Sequence, residues 1–313
     1  MFFQNFFLFL FFVYFSIQIT NNRPIIGIVT EPSLTELEKY GSQYIAASYV
    51  KWIEGSGARV VPIKYTLSSS ELIQILDQIN GVLFPGGDAS LDGTQFYQTL
   101  KSIYNYAIQK NQEGIYFPIY GTCLGFEALN ILTSQDMNIL SKVGMENITL
   151  PLYFTTLTPK SRMFKNASSE ILLILSSKNV TLNNHEYGVL VDTFNNNNKL
   201  SQFYSVLSYN YEISLQKLPF VSTIESIDYP IYGTQFHPEK NIYEWRIDED
   251  INHSFDAVLI SQYFGNFFVS ESRKNSQHFA NQTDEANALI YNFPIIYTAK
   301  DEPSFEQCYF FEP

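Results

Sequence analysis

The sequence predicts an α/β protein in which a mostly parallel sheet carries helices on both faces. Three observations lead there. Short apolar, β-branched runs alternate with segments of helical period through the first half of the chain, the signature of βαβ units. The runs PIIGIVT, RVVPI and GVLF are apolar throughout, as strands buried on both faces are. Beyond about residue 150 the strand-like stretches follow one another with little helix between them, which predicts antiparallel additions to the same sheet.

Taken in order, residues 24–30 are the first strand. Residues 44–54 (YIAASYVKWIE) repeat apolar side chains at helical spacing and stop at Gly55 and Gly57. Residues 59–63 are the next strand, 72–79 a helix, and 81–84 a third strand running into Pro85, Gly86 and Gly87. A helix over 96–110, a strand over 117–120 and a helix over 124–132 complete the parallel half. Residues 150–157, 170–175, 203–211, 220–225 and 231–236 read as strands, and helical character returns over 257–268 and 285–291. With no internal repeat and no long linker, residues 24–313 are expected to form one domain.

Composition limits the function. Of 313 residues 45% are hydrophobic, enough for a substantial core, and the formal charge is −12. An acidic surface argues against a nucleic-acid binder, which needs a basic stripe along the phosphates. The first twenty residues, MFFQNFFLFLFFVYFSIQIT, hold an apolar block from 6 to 15 that is too short to span a bilayer comfortably. A secretory leader removed between about residues 16 and 22 fits best, with an uncleaved anchor as the alternative. No membrane span is expected after its removal. N-x-S/T sequons at Asn147, Asn166, Asn179, Asn252 and Asn281 support a secretory route. Two cysteines, Cys123 and Cys308, allow at most one disulfide, and Cys123 is needed free.

The chemistry concentrates in three places. Gly121-Thr122-Cys123-Leu124-Gly125 follows a predicted strand and opens a predicted helix, which is the layout of a nucleophile elbow. The glycines let neighbouring backbone pass a sharp turn without Cβ clashes. A thiol at a helix N-terminus is expected to have a lowered pKa, and the Leu124 amide can donate to an oxyanion. Pro85-Gly86-Gly87-Asp88 ends the preceding strand, so Gly86 or, better, Gly87 can supply a second oxyanion donor. His237-Pro238-Glu239 follows the strand over 231–236. An extended backbone there projects His237 and Glu239 to one side, so that the carboxylate orients the imidazole toward the thiol.

Together the PGGD turn, the GTCLG elbow and the HPE triplet resemble class I glutamine amidotransferase-type domains. Within those, the chain is similar to γ-glutamyl hydrolases over roughly residues 24–313. The similarity runs through YIAASYVKW, INGVLFPGG, YFPIYGTCLGFE, SRMF, YPIYGTQFHPEKNIYEW and ALIYNF. It implies a flavodoxin-like three-layer fold and hydrolysis of poly-γ-glutamylated folates, in a lysosome or vacuole or outside the cell. It also implies Cys123 and His237 as the catalytic pair, Glu239 as third member and His185 as a further active-site histidine. Gln235-Phe236 stands where the family commonly has Gln-Trp, a conservative aromatic change. No cofactor and no metal are called for. A homodimer is compatible with the resemblance, and the sequence leaves the oligomeric state open. Two rival readings use the same fold: a glutaminase subunit supplying ammonia, and an inactive binding homologue.

Overall fold

A computed structural model describes residues 20–213, 215–302 and 304–312, so all but the last residue of the predicted leader lies outside the described residues. The chain begins with β1 (Ile25–Val29), β2 (Glu31–Pro32), β3 (Gln43–Ala46), α1 (Ala47–Gly55) and β4 (Arg59–Ile63). It continues through α2 (Ser69–Leu76), β5 (Val82–Phe84), α3 (Gln95–Gln112), β6 (Ile119–Thr122) and α4 (Leu124–Ser134). Then come β7 (Ser141–Leu150), β8 (Tyr153–Phe154), α5 (Ser169–Ser177), β9 (Thr181–Gly188), α6 (Val191–Asn196) and α7 (Asn198–Phe203). The last part holds β10 (Tyr204–Tyr211), β11 (Pro219–Ser226), β12 (Ile231–Thr234), α8 (Lys240–Tyr243) and α9 (Phe255–Ser272). It closes with α10 (Gln282–Ala288), β13 (Ile295–Tyr297) and β14 (Gln307–Phe311).

Eight strands form the main sheet in the order β4-β1-β5-β6-β12-β11-β10-β8. The first five run parallel, and β11, β10 and β8 add antiparallel. Counted in chain order, the parallel strands lie second, first, third, fourth, fifth, which is the flavodoxin-like order. Every residue of β1, β5, β6 and β12 is buried, which is why those runs carry no alternation. Pro62, which has no N–H to give, falls on β4 at the sheet edge.

Helices cover both faces. On one, Trp52 of α1, Leu175 of α5 and Phe264 and Phe268 of α9 pack together. On the other, Leu72 of α2, Leu100 of α3 and Phe126 and Leu129 of α4 do so. The result is the three-layer arrangement expected. A small sheet, β13-β14-β3-β2, and a hairpin-like pair, β7-β9, lie beside it.

Three expectations are corrected. The helix expected over 44–54 begins only at Ala47; Gln43–Ala46 is strand β3, held between β2 and β14. The tail strand that claims it is too distant in sequence for a local pattern to reveal. Residues 170–175 are helical, not extended: Ser168 caps α5 by accepting from the Ile171 amide at 3.2 Å. A short apolar run has no period to separate helix from strand, and the cap decides. The strand expected over 150–157 is broken at Pro151; β7 ends at Leu150 and only Tyr153–Phe154 pairs with β10.

The register brings three strand ends together. Gly121 of β6 lies opposite Gly233 of β12 and Phe84 of β5 opposite Gly121. The segments that leave these ends carry the elbow, the Pro85–Asp88 turn and the His237 triplet. Ligands in such sheets bind at this edge.

Candidate active site

Cys123 sits between β6 and α4 with φ 49° and ψ −108°, a backbone conformation that side-chain-bearing residues rarely adopt. Strain of this kind, concentrated on one residue at a strand–helix junction, marks a functional turn. The elbow is pinned on both sides. The Cys123 amide donates to the Thr234 carbonyl at 2.9 Å, tying the turn to β12. Gly125 packs so tightly on the Phe84 carbonyl of β5 that a Cβ would overlap it.

His237 reaches the same place from β12. Its amide donates to the Leu182 carbonyl at 2.8 Å in an isolated bridge to β9. Its Nδ1 lies 2.7 Å from Glu239 Oε1, and both side chains are buried. The pair forms by a different route from the expected one. Glu239 has φ −73° and ψ −27°, so the chain turns at Pro238 and the carboxylate folds back under the ring. Gly86 shows how near the two residues come. A Cβ on it would lie 2.8 Å from His237 Cε1 and 2.9 Å from Cys123 Cβ, so the two catalytic candidates flank one glycine.

The Gly86 amide is already engaged, donating to Tyr49 Oη at 2.8 Å, and the same hydroxyl lies 3.4 Å from His237 Nδ1. Gly87, with no such bond among the described residues, is the better placed of the two glycines to face a ligand. The Leu124 amide opens α4 and hydrogen-bonds toward the Cys123 sulfur.

A lowered thiol pKa was expected, and the surroundings act the other way. Burial first, then the carboxyls of Glu127 and Glu239, push the Cys123 thiol well up, against the Leu124 amide and Lys240. The helix terminus is present, but its pull is smaller than the cost of desolvating a thiolate. The sulfur lies 3.8 Å from the Asn184 carbonyl, within reach for an S–H donor.

His185 lies in the same cavity, edge-on to Phe220. Its Nδ1 is 2.6 Å from the Tyr187 carbonyl and its Nε2 3.2 Å from the Asn183 side-chain amide. Burial lowers its pKa to about 3, which favours the neutral ring.

Cys123, Leu124, Gly86, Gly87, His185 and His237 all line one cavity of about 1060 Å³, room for an extended ligand. Four of its neighbours were not singled out in the sequence: Tyr49, Asn184, Glu127 and Lys240. Glu127 was legible, because it stands four residues after Cys123 on a helix and so shares its face. Burial raises the Glu127 carboxyl to about 8, and it accepts from Gln235 Nε2 at 3.0 Å. Lys240, almost fully buried, reaches Glu249 at 3.2 Å and lies over the Phe305 ring. Cys308, the other free thiol, is buried between β3 and β13, beside Thr298 and away from the cavity.

Such a fold, with a strained cysteine at a sheet edge near a carboxylate-held histidine, fits a cysteine-type hydrolase built on a glutamine amidotransferase-like fold. The glutaminase domain of Trypanosoma brucei CTPS, solved with bound acivicin, shares the fold at TM-score 0.50 and 17% identity, over 81% of this chain and 95% of its own. The Peptidase C26 family model matches residues 24–144. Gamma-glutamyl hydrolase B of Dictyostelium discoideum is 42% identical over 297 residues, 94% of this chain and 85% of its own. The Homo sapiens gamma-glutamyl hydrolase is also 42% identical, over 94% of this chain and 91% of its own. This chain belongs to the γ-glutamyl hydrolase family.

Proposed function

We propose that the protein hydrolyses the γ-glutamyl amide bonds of folylpoly-γ-glutamates through a thioester on Cys123. The observation that carries this reading is the placing of Cys123 and the Glu239-held His237 on either side of Gly86, in a chain of this family.

In the first half-reaction His237 takes the Cys123 proton as sulfur bonds to the γ-carbonyl carbon. The carbonyl electrons move onto oxygen, where the Leu124 and Gly87 amides receive the charge; each such donor is worth about 3–4 kcal/mol of barrier. Collapse of the oxyanion breaks the C–N bond, and the departing amine takes the proton from His237. A water then gives a proton to neutral His237 and attacks the thioester. Sulfur leaves as thiolate and recovers its proton from the imidazolium.

The acidic cavity suits this substrate only under acid conditions. Lys240 is the one Lys or Arg lining it among the described residues, set against carboxylates such as Glu36, Asp92, Glu146 and Glu302. Partial protonation of the substrate's tail weakens its repulsion from the cavity as pH falls. This supports a working place in a lysosome, vacuole or acid exterior, reached by the leader. Four of the five sequon asparagines are exposed, with Asn252 half-buried, which fits N-glycosylation on that route.

Incubating the purified protein with pteroylpentaglutamate at pH 5 and identifying products by mass is the direct test. Shortened pteroylglutamates are expected, with none from Cys123→Ala. An intact substrate alongside rapid hydrolysis of free glutamine would reverse the reading in favour of a glutaminase.

A further inference from the structure

Glu31 is a buried carboxyl that the reaction above does not use. It follows β1, is 2% exposed, and packs against the Cα face of Gly87 so closely that a Cβ on that glycine would overlap it. The amides of Ala89 and Asp88 lie near enough to favour its charged form, while its buried Oε2 has no hydrogen-bond partner. Across the turn, Tyr49 Oη takes the Gly86 amide at 2.8 Å.

The four successive amides of the turn are thus divided. Tyr49 holds the Gly86 amide on one side, the Glu31 carboxyl lies against Gly87 with the Asp88 and Ala89 amides near it on the other, and the Gly87 amide makes no hydrogen bond among the described residues. A buried carboxyl is costly to keep, and a turn closed by its own backbone would not need one. We propose that Glu31 is a positioning residue: its carboxyl grips the Pro85–Ala89 turn from beneath and aims the Gly87 amide at the reacting carbonyl. This rests on Gly87 being an oxyanion donor, as described above.

The protonation state of Glu31 matters to that task. Burial, and then the Asp88 charge, hold its carboxyl well above the usual carboxylate range despite the two amides. The titratable groups facing it are Asp88 on the turn, Tyr44 on β3 and Tyr49 on α1, none of them a cation. Neutral, it backs the turn without charge. Ionised, it puts a negative charge directly behind the oxyanion site, so activity falls as pH rises through its pKa.

Glu31→Leu and Glu31→Gln separate positioning from packing. With γ-linked diglutamate, Glu31→Leu should lose roughly 10²-fold in kcat, the cost of misplacing a reacting group by about an ångström, with KM within about threefold. Glu31→Gln keeps an acceptor oxygen and cannot ionise. It should retain kcat within about threefold at pH 5 and fall less steeply than the parent toward pH 8. A γ-glutamyl aldehyde, which forms a tetrahedral adduct on Cys123, should bind Glu31→Leu more weakly by the same factor as kcat.

Glu31→Leu with parental kcat, aldehyde affinity unchanged despite lost kcat, or Glu31→Gln as impaired as Glu31→Leu would each overturn the proposal. Should Glu31→Leu not fold, Glu31→Gln decides alone: an alkaline limb identical to the parent's contradicts it. Iodoacetamide labelling of Cys123 runs alongside as a check on the catalytic reading. Unreactive Cys123 in the parent protein would sink that reading, whereas unchanged labelling in the Glu31 variants isolates the effect to the oxyanion side.

Discussion

At the scale of the residue, the site depends on a few groups held in unfavourable states by their neighbours. Cys123 is strained at φ 49° and its thiol is pushed up by burial, so it is a poor nucleophile until His237 removes its proton. Glu239 makes that transfer directional by holding Nδ1 at 2.7 Å. Glu239→Gln should therefore cost on the order of 10³-fold in kcat with little change in KM, because the amide no longer stabilises the imidazolium; steady-state kinetics on diglutamate check it. The pair and the elbow were legible in the sequence because glycine spacing and a His-Pro-Glu triplet after a strand leave a local trace, though the turn at Pro238 was not. Glu31, Tyr49 and Asn184 left none, since each comes from a distant element and meets the site only through sheet order. The direction of the Cys123 shift was also hidden, because desolvation depends on what covers a group and not on its own helix.

At the scale of the element, the active geometry is a matter of close backbone passage. Gly125 lets α4 begin against the Phe84 carbonyl of β5. Gly125→Ala should force the two apart, costing about 1–3 kcal/mol of stability and most of the activity together. Thermal melting beside a turnover assay would show both losses, and an active, fully stable variant would refute the packing argument. Helix α5 tests the lesson of the missed helix. Ser168→Ala removes the cap on the Ile171 amide and should lower stability by about 1 kcal/mol while leaving kcat unchanged, as measured by urea denaturation. The parallel strands and main helices were readable because their periods are strong. β3 and β9 were not, as both are paired by chain far away, β3 by β14 and β9 by β7 and His237.

At the scale of the molecule, charge and burial favour acid conditions. Burial raises Glu127 to about 8 and Glu244 to about 7 from the 4.5 of a free glutamate, and Glu31 is raised as well. Below about pH 4.5 these groups are protonated whether the chain is folded or not, and they cost nothing. Between there and about pH 8 the unfolded chain releases their protons first, so stability falls as pH rises. The −12 formal charge at neutral pH adds repulsion in the same direction. The urea midpoint should be higher at pH 5 than at pH 8, and Glu127→Gln should flatten that dependence by an amount on the order of a few kcal/mol. A midpoint that rises steadily to pH 8 would count against the buried, neutral carboxyls.

What all three scales serve is a covalent bond between one sulfur and the γ-glutamyl carbonyl carbon. Acid-quenching the protein during turnover of pteroylpentaglutamate, followed by peptide mass analysis, looks for that bond directly. The acyl portion of the substrate should be found on the peptide containing Cys123, and be absent from the Cys123→Ala protein, which should not turn over. Continued hydrolysis by Cys123→Ala, or an acyl group carried on another residue, would contradict it.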